Sequence, residues 1–210
     1  MVRDAIDAVI KAILKEKDFL NEVDEKIGDG DHGLNMARGA QAIKDTMKTL
    51  DENASLQEIL SALGEAVTIN VGGSAGHLYG AALSEIAKVV DEKSAPEPVT
   101  LAKVFGAAVD AIQKRGKAEL GDKTMLDVLI PIRDSFQVAI GSDRSFEEIL
   151  TEARDAARGG VEFTKTIPAK KGRAAAFGNK SIGFEDAGAT SSMIIFRALC
   201  NVWKDNLRQR

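Results

Sequence analysis

The sequence predicts an all-α fold, and three observations support that prediction. Apolar residues recur at helical spacing along most of the 210 residues. Aromatic residues, which favour strands, make up 5% of the chain, and the sequence shows no sustained alternation of apolar and polar residues. The segments between the helical stretches are short, so neighbouring helices are expected to be antiparallel.

About eight helices are predicted, in order over 5–24, 34–50, 55–72, 75–92, 100–115, 125–136, 145–166 and 189–206. The first rests on apolar spacing over 5–14, with Asp24 near its end, and the second and fourth rest on the same pattern. The third begins with a capping box in which Ser55 and Glu58 lie three residues apart. The glycine pair at 72–73 should end it.

The later helices have clear boundaries in the sequence. A surface loop is expected over 93–98, after which Thr100 can cap the fifth helix. The segment 116–123 interrupts the apolar pattern before the sixth helix. Ser145 opens a second capping box, and its helix should continue through the glycines at 159–160. The eighth helix follows from the apolar run near the C-terminus.

Composition limits the possible functions. The length suits a single domain over 1–210, and the net charge of -4 gives no support for a nucleic-acid partner. The segment 66–84 contains no Asp, Glu, Lys or Arg, but its glycines and polar side chains make it unsuitable as a membrane span. A charged N-terminus and the single Cys200 favour a cytoplasmic protein without an internal disulfide.

Glycines are concentrated in four segments between helices, at 28–33, 72–76, 116–121 and 172–188. Alternate loops of an antiparallel bundle meet at one end. Four glycine-rich loops at that end would place backbone N–H groups beside helix N-termini, which is a setting suited to phosphate. The sequence therefore predicts a phosphate-binding pocket at one end of the bundle.

Three carboxylates lie close together in the sequence, at Asp24, Asp29 and Asp31. Carboxylates with no thiolate nearby suit a hard cation such as Mg²⁺ or Ca²⁺. The spacing does not match an EF-hand, and Mg²⁺ is usually held by few carboxylates together with substrate phosphates. From spacing alone, a solvated acidic turn remains equally open.

Several polar residues near these loops are candidates for ligand contacts. His32 alone is more often a structural hydrogen-bonding residue, but its neighbours Gly33 and Asn35 favour a phosphate or nucleotide contact. Ser74 can donate to a phosphate, although its segment also reads as a tight turn between helices. Asp186 is placed to orient a ribose or a water molecule.

Basic residues flank the same loops. Lys117 or Lys123 can neutralise a phosphate, and either can equally be a surface lysine. Lys170 and Lys171 are interpreted as solvated. Arg173 is the best candidate for a forked contact with phosphate oxygens.

The sequence contains no Ser-His-Asp, Cys-His or zinc pattern. A carboxylate cluster, glycine-rich loops and an arginine instead fit nucleotide binding with Mg²⁺, where positioning and charge neutralisation do most of the catalysis.

Five motifs, in order, give the chain a close resemblance to the nucleotide-binding L subunits of bacterial dihydroxyacetone kinase. They are IGDGDHGLNM, VGGSAGHLYG, RGKAELGDKTMLDV, KKGRAAAFGNKSIG and EDAGATS, and together they extend over most of the chain. The resemblance implies a closed barrel of eight antiparallel helices with the nucleotide site at one end. It also implies that Asp24, Asp29 and Asp31 hold two Mg²⁺ ions that bridge the phosphates of ADP or ATP.

The resemblance further implies a nucleotide-binding set, carried over by position: His32, Gly33, Leu34, Asn35, Ser74, Ala75, Gly116, Met125, Arg173, Asp186, Ala187 and Gly188. Two of these depart from the pattern of many relatives. Ala75 stands where many have Ser, so the assignment of Ser74 is in doubt. Ala187 stands where many have Pro, a change that should affect only the stiffness of the loop. No catalytic residue is assigned.

The partners are also implied by the resemblance. A separate K subunit holds dihydroxyacetone through a histidine, and a phosphohistidine on an M subunit rephosphorylates the retained ADP. Alternatives are an ATP-exchanging kinase for a related ketose or polyol, a nucleotide-dependent module that binds a transcription regulator, and a fatty-acid-kinase-like nucleotide domain.

Overall fold

The computed structural model describes residues 2–91 and 96–208, and within them it confirms the all-α class: no strand is present there. The helices are α1 (Val2–Lys15), α2 (Lys17–Glu25), α3 (His32–Thr49), α4 (Leu56–Asn70), α5 (Gly73–Val89), α6 (Pro98–Gly116), α7 (Leu126–Ala139), α8 (Phe146–Thr166) and α9 (Ala187–Arg208), with a 3₁₀ segment over Arg173–Ser181. The described residues therefore hold nine α-helices where about eight were predicted.

The additional helix arises because the first predicted helix, over 5–24, was wrongly expected to be continuous; the structure has two helices there. The chain departs from helical geometry at Glu16, with φ −94° and ψ 11°, so α1 and α2 are separate and Asp24 lies near the end of α2. No glycine or proline marks this break in the sequence. The 3₁₀ segment was also not predicted. It lies in the glycine-rich loop before α9 and is kinked at Gly178.

Both predicted capping boxes are confirmed, at Ser55 and Ser145, where each hydroxyl accepts the N–H of a glutamate three residues later. Thr100 was wrongly predicted as a cap, because α6 already begins at Pro98, whose fixed φ suits the first helical position. The α5 helix ends at Val89 rather than at 92. Residues 93–95 of the predicted loop lie outside the described part of the chain.

Helix contacts close a ring in the order α3, α4, α5, α6, α7, α8, α9, α1 and back to α3, while α2 packs on α3 and α9. The larger apolar core lies among α5 to α9, and its centre holds Phe105, Phe136 and Phe196 with ring centroids 5.5 to 6.0 Å apart. A smaller core lies among α1, α2, α3 and α9. Tyr79 packs against both cores.

Crossing a bilayer requires a helix that is both long and apolar, and the helices within residues 2–91 and 96–208 include none with both properties.

Adjacent glycines in α8 give a matched test of helix packing. A β-carbon on Gly160 would lie 2.1 Å from the backbone oxygen of Asp127, whereas one on the exposed Gly159 would meet nothing within 4 Å. Gly160→Ala should lower the free energy of unfolding by about 1–3 kcal/mol, because α7 and α8 must separate. Gly159→Ala should raise it by about 0.5–1 kcal/mol, through helix propensity alone. Urea denaturation followed by circular dichroism would compare them, and equal effects would contradict this packing.

Candidate functional site

A pocket of about 450 Å³ lies where the four glycine-rich loops meet, as the sequence predicts. Its lining includes residues at the N-terminal ends of α3, α5, α7 and α9. Gly72 is the N-cap residue of α5 and has no side chain that could accept the first N–H groups of this helix. Helix N-termini carry partial positive charge and attract anions. This end of the ring is therefore suited to phosphate groups.

The three predicted carboxylates come together at one side of the pocket. Asp24, Asp29 and Asp31 offer ligand oxygens that all lie within 4.8 Å of one another. The Oδ2 of Asp24 accepts the backbone N–H groups of Asp31 and His32, at 3.0 and 3.2 Å, which fixes the loop around it. A β-carbon on Gly28 would lie 2.2 Å from Asp24 Oδ1, so only glycine permits this approach. Oxygen ligands in this arrangement fit a hard divalent cation.

Arg173 pairs with two members of this cluster, Asp29 and Asp31. One guanidinium beside three carboxylates leaves an excess of negative charge in the cluster. Arg173 is exposed and lines the pocket together with the three carboxylates. Its predicted contact with phosphate oxygens stays a prediction.

His32 belongs to a partly buried hydrogen-bond network beneath the pocket. Its Nε2 lies 2.9 Å from the hydroxyl of Ser191, which lies 3.0 Å from the hydroxyl of Tyr79. The Tyr79 hydroxyl is also 2.9 Å from that of Ser192, and both serines donate to the Gly188 carbonyl. Burial lowers the pKa of His32, while Asp24 and Asp31 oppose that change. The network connects the start of α3 to the start of α9.

Asp186 caps α9. Its Oδ2 accepts the N–H of Ala189 at 2.7 Å, and its own N–H donates to the hydroxyl of Thr164 at 3.0 Å. Burial raises the pKa of Asp186 to about 7 against the opposing effect of the Ala189 hydrogen bond. The side chain lines the pocket, so a protonated carboxyl is available there near neutral pH.

Lys123 differs from both of its sequence-based interpretations. Its side chain is 1% exposed, and its ammonium donates to four backbone carbonyls instead of reaching for a phosphate or for solvent. Lys117 is exposed and caps α6 in the left-handed region, with φ of 50°, so it is a surface lysine. Lys171, which was interpreted as solvated, is half-buried and lines the pocket.

Thirteen of the fifteen sequence-predicted site residues line the pocket. They are Asp24, Asp29, Asp31, His32, Asn35, Ser74, Ala75, Gly116, Met125, Arg173, Asp186, Ala187 and Gly188. The other two lie just behind it. Gly33 is buried, and a β-carbon there would lie 1.9 Å from the Lys17 carbonyl, so it serves the packing of α2 on α3. Leu34 is 42% exposed, and its N–H donates to Asn21.

Three polar residues that line the pocket were not predicted from the sequence: His77, Arg115 and Thr124. His77 lies one helical turn after Gly73, and Arg115 lies in the last turn of α6. Their positions next to glycine-rich loops were the available signal. A single charged or polar residue on a helix face, however, is ordinarily solvated.

Comparisons with known proteins agree on one family. Residues 26–201 match the DAK2 domain. The chain is 37% identical over 187 residues to the PEP-dependent dihydroxyacetone kinase 1, ADP-binding subunit DhaL, of Listeria innocua, with 89% of this chain and 88% of the relative covered. It is 34% identical to the corresponding PEP-dependent subunit of Escherichia coli K12, with 90% of each covered. It is 32% identical to the D-erythrulose kinase of Mycolicibacterium smegmatis, with 96% of this chain but 35% of that relative covered.

Two solved structures show the same fold. The native dihydroxyacetone kinase of C. freundii superposes with a TM-score of 0.73 at 25% identity, and the alignment covers 94% of this chain and 33% of that one. The complex of that kinase with AMP-PNP and Mg²⁺ gives a TM-score of 0.74 at 24% identity, with 96% and 34% covered. This chain thus spans about a third of the solved chains.

Asp186 should make the stability of the nucleotide-free protein depend on pH. A carboxyl whose pKa is raised to about 7 in the folded state stabilises the fold below its ordinary pKa, and this contribution is lost as pH rises through 7. Asp186→Asn keeps an acceptor for the cap and removes the charge. Its free energy of unfolding, relative to the unmodified protein, should therefore rise by roughly 3–4 kcal/mol between pH 4 and 8.

Urea denaturation across this pH range would measure the difference. Asp134→Asn is the matched control, because Asp134 is an exposed residue of α7 that pairs with Arg133. A difference for Asp186→Asn that stays constant with pH would contradict the protonated carboxyl.

Proposed function

The chain belongs to the DAK2 domain family, and from this premise we propose that it is the nucleotide-binding subunit of a dihydroxyacetone kinase. It would hold ADP or ATP with Mg²⁺ while a phosphoryl group passes to a hydroxyl of dihydroxyacetone. Relatives named as ADP-binding subunits match this chain over about nine tenths of both lengths.

The observation that carries the proposal is the convergence of a carboxylate cluster and open helix N-termini on one pocket. Phosphoryl transfer needs its reacting oxygens positioned and their charge neutralised, and it needs little covalent chemistry from the protein. The pocket offers those two functions. Backbone N–H groups at Gly73 to Ala75 are placed to bind phosphate oxygens, and Arg173 is placed to neutralise them.

The carboxylates fit the proposed metal. The oxygen ligands of the cluster, from Asp24, Asp29 and Asp31, lie close enough together to share cations. Cation binding is favoured because the single positive charge of Arg173 does not balance the three carboxylates. When bound there, Mg²⁺ supplies charge neutralisation to the phosphate oxygens. We assign two ions to these three residues, in keeping with the family resemblance.

The remaining lining residues take the role of nucleotide contacts in this proposal. His32, Asn35, Ser74 and Ala75 come from the starts of α3 and α5. Gly116 is the last residue of α6, and Met125 immediately precedes α7. Asp186, Ala187 and Gly188 at the start of α9 complete the set. Gly33 and Leu34 also belong to the proposed nucleotide-binding set, although neither residue lines the pocket.

The acceptor and the phosphoryl source belong to other chains. We propose a K subunit that presents dihydroxyacetone and a phosphohistidine-bearing M subunit that rephosphorylates retained ADP. The PEP-dependent relatives support this over exchange of ATP from solution. One observation favours an acceptor of related chemistry as a second candidate: D-erythrulose kinase and L-erythrulose 1-kinase are similar to this chain at 32% and 36% identity. A regulatory role with a transcription factor stays a prediction from the sequence.

Removing one metal-binding carboxylate should abolish tight nucleotide binding. Asp29→Ala is expected to weaken Mg²⁺–ADP binding at least about 100-fold, because its carboxylate would be a direct ligand. It should also remove the dependence of ADP affinity on Mg²⁺ concentration. Isothermal titration calorimetry with and without Mg²⁺ would measure both effects.

The control is again Asp134→Asn, which removes a negative charge from the surface of α7. This variant should bind Mg²⁺–ADP as the unmodified protein does. Unchanged affinity in Asp29→Ala would refute the metal assignment.

Retention of ADP distinguishes the two kinase mechanisms. In the phosphohistidine-dependent mechanism, ADP should remain with the protein through purification and extensive dialysis. Native mass spectrometry should then show a mass increase that denaturation removes and that matches ADP with Mg²⁺. Ready replacement by added ATP would favour the ATP-exchanging kinase. Addition of K and M subunits with a phosphoryl donor should give turnover, which a purely regulatory module would not.

A further inference from the structure

Lys123 is one of the residues that line the pocket, and its ammonium lies in a cage of backbone carbonyls. Its Nζ lies 2.6 Å from the carbonyl oxygens of Thr164 and Phe184, 2.8 Å from that of Ser181 and 3.3 Å from that of Ile167. Its backbone adopts the left-handed region with φ of 62°, which is uncommon for a residue with a side chain. A strained backbone and a fully enclosed side chain indicate a specific role.

The geometry requires a charged ammonium. An ammonium has three N–H donors and no lone pair, and three of the four acceptor distances are short. A neutral amine would direct a lone pair at carbonyl oxygens. Burial lowers the pKa of Lys123, while the nearby carboxylates of Asp186 and Asp127 oppose that change. Because every N–H of Lys123 is directed at a carbonyl, the residue has no donor left for a phosphate.

The four carbonyls belong to two parts of the chain that Lys123 joins. Thr164 and Ile167 lie at the C-terminal end of α8. Ser181 and Phe184 lie in the segment 173–186, which contains the 3₁₀ segment and leads into α9. This segment begins at Arg173 and ends at Asp186, and both of these residues line the pocket. Three further contacts attach the segment to the end of α8. The Gly183 N–H donates to the Lys165 carbonyl at 2.8 Å, the Asp186 N–H donates to the Thr164 hydroxyl at 3.0 Å, and Glu185 pairs with Lys165 at 3.4 Å.

We propose that Lys123 is a positioning residue for the nucleotide site: its ammonium fixes the segment 173–186 against the end of α8 and so places Arg173 and Asp186. The nucleotide part of this inference rests on the proposed function. The structural part, that the ammonium holds the segment, does not.

Hydrogen exchange in the nucleotide-free protein tests the structural part. Lys123→Met keeps most of the side-chain volume and removes the charge. Amides of Ile182, Gly183 and Asp186, which are hydrogen-bonded within or beside the segment, should exchange at least about 10-fold faster in this variant. Core amides of α7 should accelerate much less. Leu150→Ala, which removes a fully buried side chain of α8 outside the cage, should show the reverse pattern. Equal acceleration of both regions in Lys123→Met would overturn the proposal.

Nucleotide affinity tests the functional part. Lys123→Met should bind Mg²⁺–ADP about 10–100-fold more weakly, because displaced charged groups no longer match the phosphates. Leu150→Ala should bind within about twofold of the unmodified protein, although it loses stability. Lys123→Ala should recover affinity with propylammonium, which replaces the missing side-chain atoms, and should recover less with 1-propanol. Unchanged affinity in Lys123→Met, or equal rescue by both additives, would overturn the positioning role.

Failure of the proposed function and failure of the role proposed for Lys123 give different results. If the unmodified protein fails to bind ADP, the proposed function fails, and hydrogen exchange still decides whether Lys123 holds the segment. If Lys123→Met does not fold, NMR of the ¹⁵N-labelled unmodified protein decides. A Lys123 ammonium in the cage should exchange its protons slowly enough to give a resolved ¹H–¹⁵N correlation at neutral pH, and rapid exchange would overturn the cage.

Discussion

The pocket depends on the opposite charge preferences of helix N-termini and a carboxylate cluster that share one end of the helical ring. Asp24 resolves part of this conflict by accepting the N–H groups of Asp31 and His32, so its charge favours the start of α3. Asp29 and Asp31 instead pair with Arg173. Contacts within the chain therefore hold the cluster together. Its excess negative charge favours a cation, and the uncapped start of α5 beside it favours an anion. A nucleotide phosphate with its metal supplies both charges together.

A second layer of polar groups fixes the residues that face the pocket. Thr164 illustrates it: its carbonyl accepts from Lys123, its hydroxyl accepts from the N–H of Asp186, and the same hydroxyl donates to Val161. The serines and Tyr79 connect α3, α5 and α9 in the same manner. Removing one partner from such a network leaves a buried polar group without a hydrogen bond and destabilises the folded protein. The geometry of the network therefore resists small displacements. Precise placement is the main contribution that phosphoryl transfer requires from a protein.

The sequence predicted the helical class, both capping boxes and the meeting of the four loops, because apolar period, cap spacing and glycine clusters are local signals. Much of the pocket lining was predicted only through the family resemblance. It failed where long-range contacts decide the structure. The break at Glu16 has no glycine or proline to announce it. Thr100 resembled a cap, but Pro98 had already begun the helix. Lys123 resembled a surface or phosphate-binding lysine because its four acceptors come from residues 41 to 61 positions later in the chain. No local pattern encodes those partners.

The same contacts explain why two departures from the pattern of relatives are tolerable. Ala187 occupies the first position of α9, where proline would pre-set the backbone. Here Asp186 fixes the start of the helix, because it accepts the N–H of Ala189 and both the hydroxyl and the N–H of Thr190. A proline ring is therefore not needed at this position. In the first turn of α5, Ser74 and Ala75 both line the pocket, so a hydroxyl at either position faces the same space. The open N–H groups of that turn are backbone groups, and they remain whichever of the two residues carries the hydroxyl.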